Sequence, residues 1–259
     1  MSDELYVETV GRGAPLVMLH GWGMHGGVWD ECAGVLADRF RVSKVDLPGH
    51  GRSPATAGID RLGGLTEVVA RHAPRRMTLL GWSLGGMVAM DLAQRQPRRV
   101  ERLVLVATTP RFVSGTDWPH GIEASILEGF GTRLSEDYRR TVRDFLLLQV
   151  RGDEHATEML RELRDRIFSH GDPDPRALAD GLAVLAGTDL RPYVGRTAMP
   201  TLVISGDRDR LTPPEAGEWL AEAIPDARHL SIPGASHAPF ISHRDAFMGA
   251  IESFLGPGT

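Results

Sequence analysis

The chain has 259 residues, 42% hydrophobic and 24% charged, and this length and composition are typical of a globular protein with one large, well-buried core. The net charge of −5 argues against a general nucleic-acid-binding protein, and the single cysteine, Cys32, excludes an internal disulfide. Neither a signal peptide nor an apolar run near the ~20 residues of a membrane span is visible, so we expect a cytoplasmic monomer that binds neither nucleic acid nor membrane.

Short apolar runs alternate along the chain with stretches of helical periodicity. This alternation predicts an α/β fold in which a mostly parallel, doubly wound sheet is covered by helices on both faces. The predicted strands are Leu16–His20, Arg41–Val45, Met77–Leu80, Leu103–Val106, Thr201–Ser205 and Arg228–Ile232. The predicted helices include Val28–Ala37, Leu62–His72, Leu84–Gln94, Pro214–Ala223 and Arg244–Leu255.

The alternation is interrupted between about Pro110 and Pro192. This segment has helical periodicity and many charges, but it contains no convincing strand. We therefore expect a helical cap, formed by residues 110–192, to be inserted into a core formed by residues 1–109 and 193–259.

A Gly-x-Ser-x-Gly sequence occupies residues 81–85, between a predicted strand and a predicted helix. By itself this short sequence is weak evidence, because it also occurs in ordinary glycine-rich turns. Between a strand and a helix, however, it forms a sharp turn that exposes the serine Oγ above the sheet. The sequence therefore predicts that Ser83 is a nucleophile.

A serine hydroxyl is a poor nucleophile and needs a base, which a third group must orient. In the doubly wound hydrolase arrangement the base is a histidine that follows the acid along the chain, and His237 lies just after the last predicted strand. His20 and His243 are weaker alternatives. We expect His20 to support the loop after its strand and His243 to lie at the start of the last helix.

Two aspartates compete for the role of the orienting acid. Asp207 and Asp209 both follow the predicted strand Thr201–Ser205, at the sheet edge where α/β folds place their sites. We favour Asp209, which lies deeper in the loop, because Asp207 at the strand end has Arg208 and Arg210 as neighbouring partners.

The reaction of a serine nucleophile with an ester also requires donors for an oxyanion. Backbone N–H groups placed for this purpose contribute roughly 3–4 kcal/mol each. We expect them to come from Leu84, the residue after the nucleophile, and from Trp22, in the glycine-rich loop after the first predicted strand.

Together these segments resemble the α/β-hydrolase superfamily. The resemblance rests on His-Gly-Trp-Gly at 20–23, Asp-Leu-Pro-Gly-His-Gly-Arg-Ser at 46–53 and Gly-Trp-Ser-Leu-Gly-Gly at 81–86, with Asp209 and His237. Finer features are similar to the pimeloyl-[acyl-carrier protein] methyl ester esterases of biotin synthesis. These features are Trp82, the segment 137–142 leading to Phe145 and Gln149, and the segment 237–243.

This resemblance implies a serine carboxylesterase without cofactor or metal, whose partner is an acyl-carrier protein bearing the pimeloyl methyl ester. It implies hydrolysis of that ester with release of methanol, by a catalytic triad of Ser83, Asp209 and His237. It also implies substrate contacts at Trp22, Leu84, Phe145, Leu146, Leu147, Leu148 and Gln149.

The predicted cap helix around Glu136–Val150 has two different faces. Tyr138, Val142, Phe145, Leu146 and Gln149 fall on one face, which would cover an acyl channel. The opposite face is basic and, together with a second cluster, would dock an acidic carrier protein through Arg139, Arg140, Arg143 and Arg161. The same charges also fit a solvated face, since Glu136 and Asp144 lie four residues from Arg140.

Two other functions remain open at this point. The same triad and cap would serve a hydrolase of small esters, lactones or carbon–carbon bonds, and short p-nitrophenyl esters would distinguish that enzyme. A ligand receptor with this fold is a second alternative, which turnover in the absence of a partner would exclude. A dehalogenase is disfavoured, because its nucleophile would be an aspartate at position 83.

Overall fold

Seven strands form a single sheet in the computed structural model, which describes residues 4–256. Their spatial order is β1-β3-β2-β4-β5-β6-β7, and every neighbouring pair is parallel except β1 with β3. The strands are β1 Val7–Val10, β2 Ala14–Leu19, β3 Phe40–Val45, β4 Met77–Trp82, β5 Val100–Val106, β6 Thr201–Gly206 and β7 Ala227–Ile232.

The six predicted strands are all present, with ends that differ by up to three residues, so the α/β prediction is confirmed. The central strands were predictable because they are covered on both faces and are therefore apolar throughout. The sequence pattern did not predict strand β1. It lies at the sheet edge, is only partly buried and contains just two apolar residues in Val-Glu-Thr-Val.

Six α-helices are formed by the described residues on either side of the segment 110–192, that is, by residues 4–109 and 193–256. They are α1 Asp30–Leu36, α2 Leu62–His72, α3 Leu84–Arg95, α9 Pro214–Ala223, α10 Pro239–Ser242 and α11 Arg244–Leu255. The predicted helix Val28–Ala37 is a 3₁₀ turn at Gly26–Trp29 followed by α1. The turn forms because the His25 side chain accepts a hydrogen bond from the Gly27 N–H.

Five further helices lie between β5 and β6, where the sequence predicted a helical insertion. They are α4 Ala124–Glu136, α5 Tyr138–Gln149, α6 Ala156–Ile167, α7 Pro175–Gly187 and α8 Arg191–Val194. The proposed boundary at Pro192 falls inside α8, and the division of the chain into core and cap stays a prediction. We use "cap" below for residues 110–192.

The sheet brings three loops together at the carboxyl ends of its parallel strands, the edge where α/β folds place their sites. The loop after β4 carries Ser83, the loop after β6 carries Asp209, and the loop after β7 carries His237. Strands β4 and β6 are buried along their whole length, so the first two loops start from a rigid core. None of the helices formed by residues 4–256 is both long and apolar enough to cross a bilayer.

Candidate active site

Ser83 lies in a strained turn between β4 and α3. Its backbone angles are φ 54° and ψ −117°, a conformation that costs a residue with a side chain about 1–3 kcal/mol. Two hydrogen bonds hold the turn in place: the Ser83 N–H donates to the Val106 carbonyl at 3.0 Å, and the Thr108 hydroxyl donates to the Ser83 carbonyl at 2.8 Å. The end of strand β5 and the loop after it thus stabilise the backbone that presents the serine.

The glycines around Ser83 are required by close backbone packing. A Cβ atom on Gly85 would lie 2.6 Å from the His20 carbonyl oxygen, and one on Gly86 would lie 2.6 Å from the Thr108 hydroxyl. Real Cβ atoms do not approach other atoms this closely, so only glycine lets α3 start so near β2 and β5. The Gly-x-Ser-x-Gly sequence therefore has the structural context that its interpretation required.

His237 and Asp209 form a buried pair. The Nδ1 atom of His237 lies 2.8 Å from Oδ2 of Asp209, and the two side chains are 1% and 0% exposed. Because an ionised carboxylate only accepts hydrogen bonds, Nδ1 carries the proton and Nε2 of the neutral imidazole is free to accept one. Nε2 is buried, and no atom of residues 4–256 forms a hydrogen bond with it.

Asp209 is held by three further donors that the sequence analysis did not identify. Its Oδ1 accepts hydrogen bonds from the Leu211 and Thr212 N–H groups at 2.8 and 3.0 Å, and its Oδ2 accepts one from the Thr212 hydroxyl at 2.7 Å. An aspartate that hydrogen-bonds the backbone two and three residues ahead forms a common turn motif. The Asp-x-x-Thr spacing was the available signal for Thr212.

The alternative candidates for the acid and the base, Asp207 and His243, have other hydrogen-bond partners. Asp207 accepts a hydrogen bond from the Gly234 N–H at 2.8 Å and so fixes the turn that precedes His237. His243 precedes α11, as expected, and its Nδ1 lies 2.9 Å from the Ser242 hydroxyl. Of the two aspartates, the structure pairs Asp209 with His237.

His20 connects two loops below the site. Its Nδ1 lies 2.8 Å from the Gly21 carbonyl, and its Nε2 accepts a hydrogen bond from the Leu47 N–H at 2.9 Å. Both ring nitrogens are thus occupied in the neutral form. Burial, and then the neighbouring His50, lower the pKa of His20 well below its ordinary value. The position agrees with the supporting role expected for His20.

Trp82 joins the serine turn to the histidine loop. Its indole N–H donates to the His237 carbonyl at 2.7 Å, and its ring lies 5.7 Å from the imidazole, centroid to centroid. On the other side of the turn, a Cβ atom on Gly21 would lie 3.3 Å from Cβ of Ser83. The turn formed by Trp82 and Ser83 therefore contacts both the loop that carries His237, through Trp82, and the loop after β2, at Gly21.

The proposed oxyanion donors lie beside this serine. Leu84 is the first residue of α3, so its N–H has no acceptor within the helix, and the positive end of the helix dipole points toward the site. Trp22 follows Gly21 in the adjoining loop. Its buried indole donates to the Leu178 carbonyl of α7 at 2.8 Å, which fixes the loop against the cap. The role of their backbone N–H groups as oxyanion donors stays a prediction.

The inner face of α5 covers this region. Phe145 is buried and packs edge-on against Trp22, with the ring centroids 4.8 Å apart. Leu146 and Gln149 are buried too, and Oε1 of Gln149 has no hydrogen-bond partner within residues 4–256. The buried face of the helix is therefore largely apolar, with one free polar atom.

Two residues of the stretch predicted to contact substrate have a different environment. Leu147 is 46% exposed, and Leu148 is only partly buried. A helix turns by about 100° per residue, so Leu147 cannot share the face of Phe145 and Leu146. The structure packs Phe145 against Trp22, buries Leu146 and Gln149, and leaves Leu147 at the surface.

The arginines proposed for carrier-protein docking differ in their surroundings. Arg139 forms an ion pair with Asp172, and the guanidinium groups of Arg139 and Arg143 lie 5.1 and 5.6 Å from the Phe168 ring centre. Arg140 and Arg161 are exposed and form no ion pair within the described chain. The pairing of Arg140 with Glu136 or Asp144 that the sequence suggested is absent from residues 4–256.

One group of side chains has the composition of a metal site. The potential ligand atoms of His25, Asp46 and His170 all lie within 4.8 Å of one another. However, both oxygens of Asp46 accept backbone hydrogen bonds, and the rings of His25 and His170 are stacked 4.1 Å apart. Stacked imidazoles direct their lone pairs alongside each other rather than toward one point, so the geometry favours a contact between cap and core over a metal centre.

Comparison with known proteins agrees with this architecture. The α/β-hydrolase fold family matches residues 14–244. Among solved structures, an esterase from Exiguobacterium antarcticum superposes with a TM-score of 0.87, covering 97% of this chain and 95% of its own at 24% identity. An enol-lactonase from Burkholderia xenovorans superposes with a TM-score of 0.85, covering 97% and 96% at 28% identity.

Relatives found by sequence comparison have a higher sequence identity to this chain than these two solved structures. A pimeloyl-[acyl-carrier protein] methyl ester esterase from Nitrosomonas europaea is 45% identical over 96% of this chain and 98% of its own. One from Chromobacterium violaceum is 44% identical over 97% and 98%. The chain therefore belongs to the α/β-hydrolase family and, within it, to the group that contains the pimeloyl-[acyl-carrier protein] methyl ester esterases.

Proposed function

We propose that this protein is a serine esterase that hydrolyses the methyl ester of pimeloyl-[acyl-carrier protein] to pimeloyl-[acyl-carrier protein] and methanol, a reaction of biotin synthesis. The observation that carries the chemistry is the free Nε2 atom of His237, which Asp209 orients beside the Ser83 turn. The substrate is inferred from the activity named for relatives at 44–45% identity over nearly the whole chain.

In the first half of the reaction, Ser83 Oγ attacks the ester carbonyl carbon while His237 Nε2 accepts the hydroxyl proton. Asp209 holds the proton of Nδ1 and stabilises the imidazolium that forms. The tetrahedral intermediate then collapses: the bond to the methoxy oxygen breaks, and His237 donates its new proton to that oxygen. Methanol leaves, and the acyl chain stays on Ser83.

In the second half, a water molecule replaces the alcohol. His237 accepts one proton from this water as the oxygen attacks the acyl-enzyme, and then returns the proton to Ser83 Oγ. The products are the free carboxylate of the carrier-linked chain and the regenerated serine. In both halves the N–H groups of Leu84 and Trp22 would stabilise the oxyanion.

The buried face of α5 suits an acyl chain. Phe145, Leu146 and Trp22 offer apolar surface, and burying one methylene group there contributes about 0.8 kcal/mol. The free Oε1 of Gln149 is an acceptor, and so it would suit an N–H donor such as an amide of the carrier's prosthetic arm. Arg140 and Arg161 remain available on the cap for an acidic carrier protein, whereas Arg139 is already paired.

A hydrolase of small esters or lactones is the second candidate. It is favoured by the enol-lactonase from Burkholderia xenovorans, which is 28% identical and superposes over 97% of this chain. Such an enzyme would use the same triad but would not need the exposed arginines of the cap.

The two candidates are distinguished by comparing kcat/KM for pimeloyl-carrier-protein methyl ester, a free pimelate monomethyl ester and p-nitrophenyl acetate. The proposed function predicts the highest value for the carrier-linked ester. It also predicts that Arg140→Glu combined with Arg161→Glu lowers this value while leaving p-nitrophenyl acetate hydrolysis within about twofold, because surface charges steer association rather than chemistry. Equal or lower kcat/KM for the carrier-linked ester would favour the second candidate.

A further inference from the structure

The loop that carries His237 is fastened to the cap by a group of hydrogen bonds that the triad mechanism does not use. The Ser236 N–H donates to Oδ2 of Asp153 at 2.7 Å, and the His237 N–H donates to the Gln149 carbonyl at 3.2 Å. The Ser236 hydroxyl lies 2.6 Å from the same carbonyl and 3.1 Å from Oδ2 of Asp153. The Glu154 N–H donates to the Gly234 carbonyl at 3.1 Å.

Asp153 is the central residue of this contact. Its side chain lies in the turn after α5 and is buried, with a residue exposure of 8%. Within residues 4–256 it forms no ion pair, and its hydrogen-bond donors are the Ser236 N–H and, at 2.9 Å, the His155 N–H; the single proton of the Ser236 hydroxyl lies between Asp153 and the nearer Gln149 carbonyl. Burying an unpaired carboxylate is costly unless hydrogen bonds satisfy it. One of the two backbone donors that offset this cost belongs to Ser236, the residue directly before His237.

The other side of the loop is anchored to the core. The Gly234 N–H donates to Asp207, and the Trp82 indole donates to the His237 carbonyl. The loop is thus held from the core at Gly234 and at the His237 carbonyl, and from the cap at Ser236 and at the His237 N–H. The backbone that carries the His237 imidazole is therefore hydrogen-bonded to both the core and the cap.

We propose that Asp153 is a positioning residue for ester hydrolysis: through Ser236 it holds the backbone of His237 so that Nδ1 meets Asp209 and Nε2 faces Ser83. This inference rests on the proposed role of His237 as the base. It also makes the cap part of the catalytic apparatus. Gln149, at the end of the helix that covers the proposed acyl site, accepts hydrogen bonds from the same loop, so the C-terminal end of α5 is bonded directly to the backbone of His237.

The test compares the wild type with Asp153→Ala and Asp153→Asn, using p-nitrophenyl acetate as substrate. A displaced base slows the chemical step without removing substrate contacts, so Asp153→Ala lowers kcat by about 10- to 100-fold and leaves KM within about twofold. Asp153→Asn keeps an amide oxygen that accepts from the Ser236 N–H, and we expect it to recover part of the loss. The proton resonance of His237 Nδ1, observed by NMR, shifts or broadens in Asp153→Ala.

Glu154→Gln is the matched control. Glu154 is the next residue of the same turn, and its exposed side chain pairs with Arg208 at 2.9 Å on the surface. Its replacement leaves the Glu154 N–H in place, so we expect kcat within about twofold of wild type, since exposed ion pairs contribute little. Should Asp153→Ala fail to fold, Asp153→Asn serves alone: it replaces a charged acceptor of the Ser236 N–H by a neutral one and lowers kcat by about 3- to 10-fold.

An Asp153→Ala protein that is folded by circular dichroism, keeps kcat within twofold and shows an unchanged Nδ1 proton would overturn the proposal. This result does not depend on whether pimeloyl-[acyl-carrier protein] methyl ester is the substrate, because p-nitrophenyl acetate needs no carrier protein. The experiment also distinguishes the positioning role of Asp153 from the triad. If Ser83→Ala abolishes hydrolysis of this ester while Asp153→Ala does not affect it, the catalytic role of Ser83 is supported and the positioning role of Asp153 is excluded.

Discussion

The Nδ1 atom of His237 lies 2.8 Å from Oδ2 of Asp209, and neither side chain is exposed to solvent. Asp209 also accepts two backbone hydrogen bonds and one from the Thr212 hydroxyl, so its orientation is fixed independently of the histidine. The carboxylate can therefore select one tautomer of the imidazole, the one in which Nε2 is an acceptor.

Replacing this carboxylate by an amide tests that relationship. In Asp209→Asn the amide N–H₂ group favours the opposite tautomer, in which Nε2 carries the proton and cannot act as a base. We expect kcat for p-nitrophenyl acetate to fall by about 10⁴-fold, with a fold unchanged by circular dichroism. Asp207→Asn is the control, because Asp207 contacts the Gly234 N–H and not the imidazole. A similar loss of activity in both variants would argue against a specific role for Asp209.

Two glycines of α7 allow a matched test of the proposed acyl site. A Cβ atom on Gly181 would lie 2.7 Å from Cδ1 of Trp22, whereas one on Gly187 has no neighbour within 4 Å. We expect Gly181→Ala to displace the Trp22 loop and lower kcat/KM for ester substrates by at least about tenfold, since small displacements of catalytic groups are costly. Gly187→Ala should leave activity unchanged. Steady-state kinetics of both variants check this, and equal activity would show that the position of Trp22 is unimportant.

The buried histidines below the site predict how stability depends on pH. Burial lowers the pKa of His20 well below its ordinary value and also lowers the pKa of His50. In the unfolded chain both residues bind protons near pH 6.5, so below that pH the unfolded state holds more protons than the folded state. The free energy of unfolding therefore falls as the pH is lowered through about 6.5, by up to about 1.4 kcal/mol per pH unit for each histidine.

Urea unfolding at several pH values between 7.5 and 5.5 measures this slope. His20→Asn removes one titrating group and should flatten the slope. The account of His20 fails if its replacement leaves the pH dependence of unfolding as steep as in the wild type.

Much of the site was predictable from the sequence because its residues lie at strand ends. A buried strand such as Met77–Trp82 has a continuous apolar pattern, and the turn after it has its own glycine signature. Once strand ends are known, parallel topology brings the following loops together, so the sequence could place Ser83, Asp209 and His237 at one edge of the sheet without knowledge of any distance between them.

The contacts made by the cap could not be predicted in this way. Asp153 and Ser236 are 83 positions apart, and His25 and Ser169, which link core and cap, are 144 apart. Helical periodicity gives the buried face of α5 but not what that face contacts. Likewise, the ion pair of Arg139 with Asp172 joins residues 33 positions apart, so the charge pattern within one helix predicted neither this pair nor the lack of an acidic partner for Arg140 among residues 4–256.

The central claim is that Ser83 is the nucleophile of a carrier-protein methyl esterase. The most direct measurement follows conversion of pimeloyl-carrier-protein methyl ester to the free carboxylate by mass spectrometry, with wild-type protein and with Ser83→Ala. We predict many turnovers by the wild type and a kcat lower by about 10⁶-fold in Ser83→Ala. Turnover by Ser83→Ala at the wild-type rate would contradict the account.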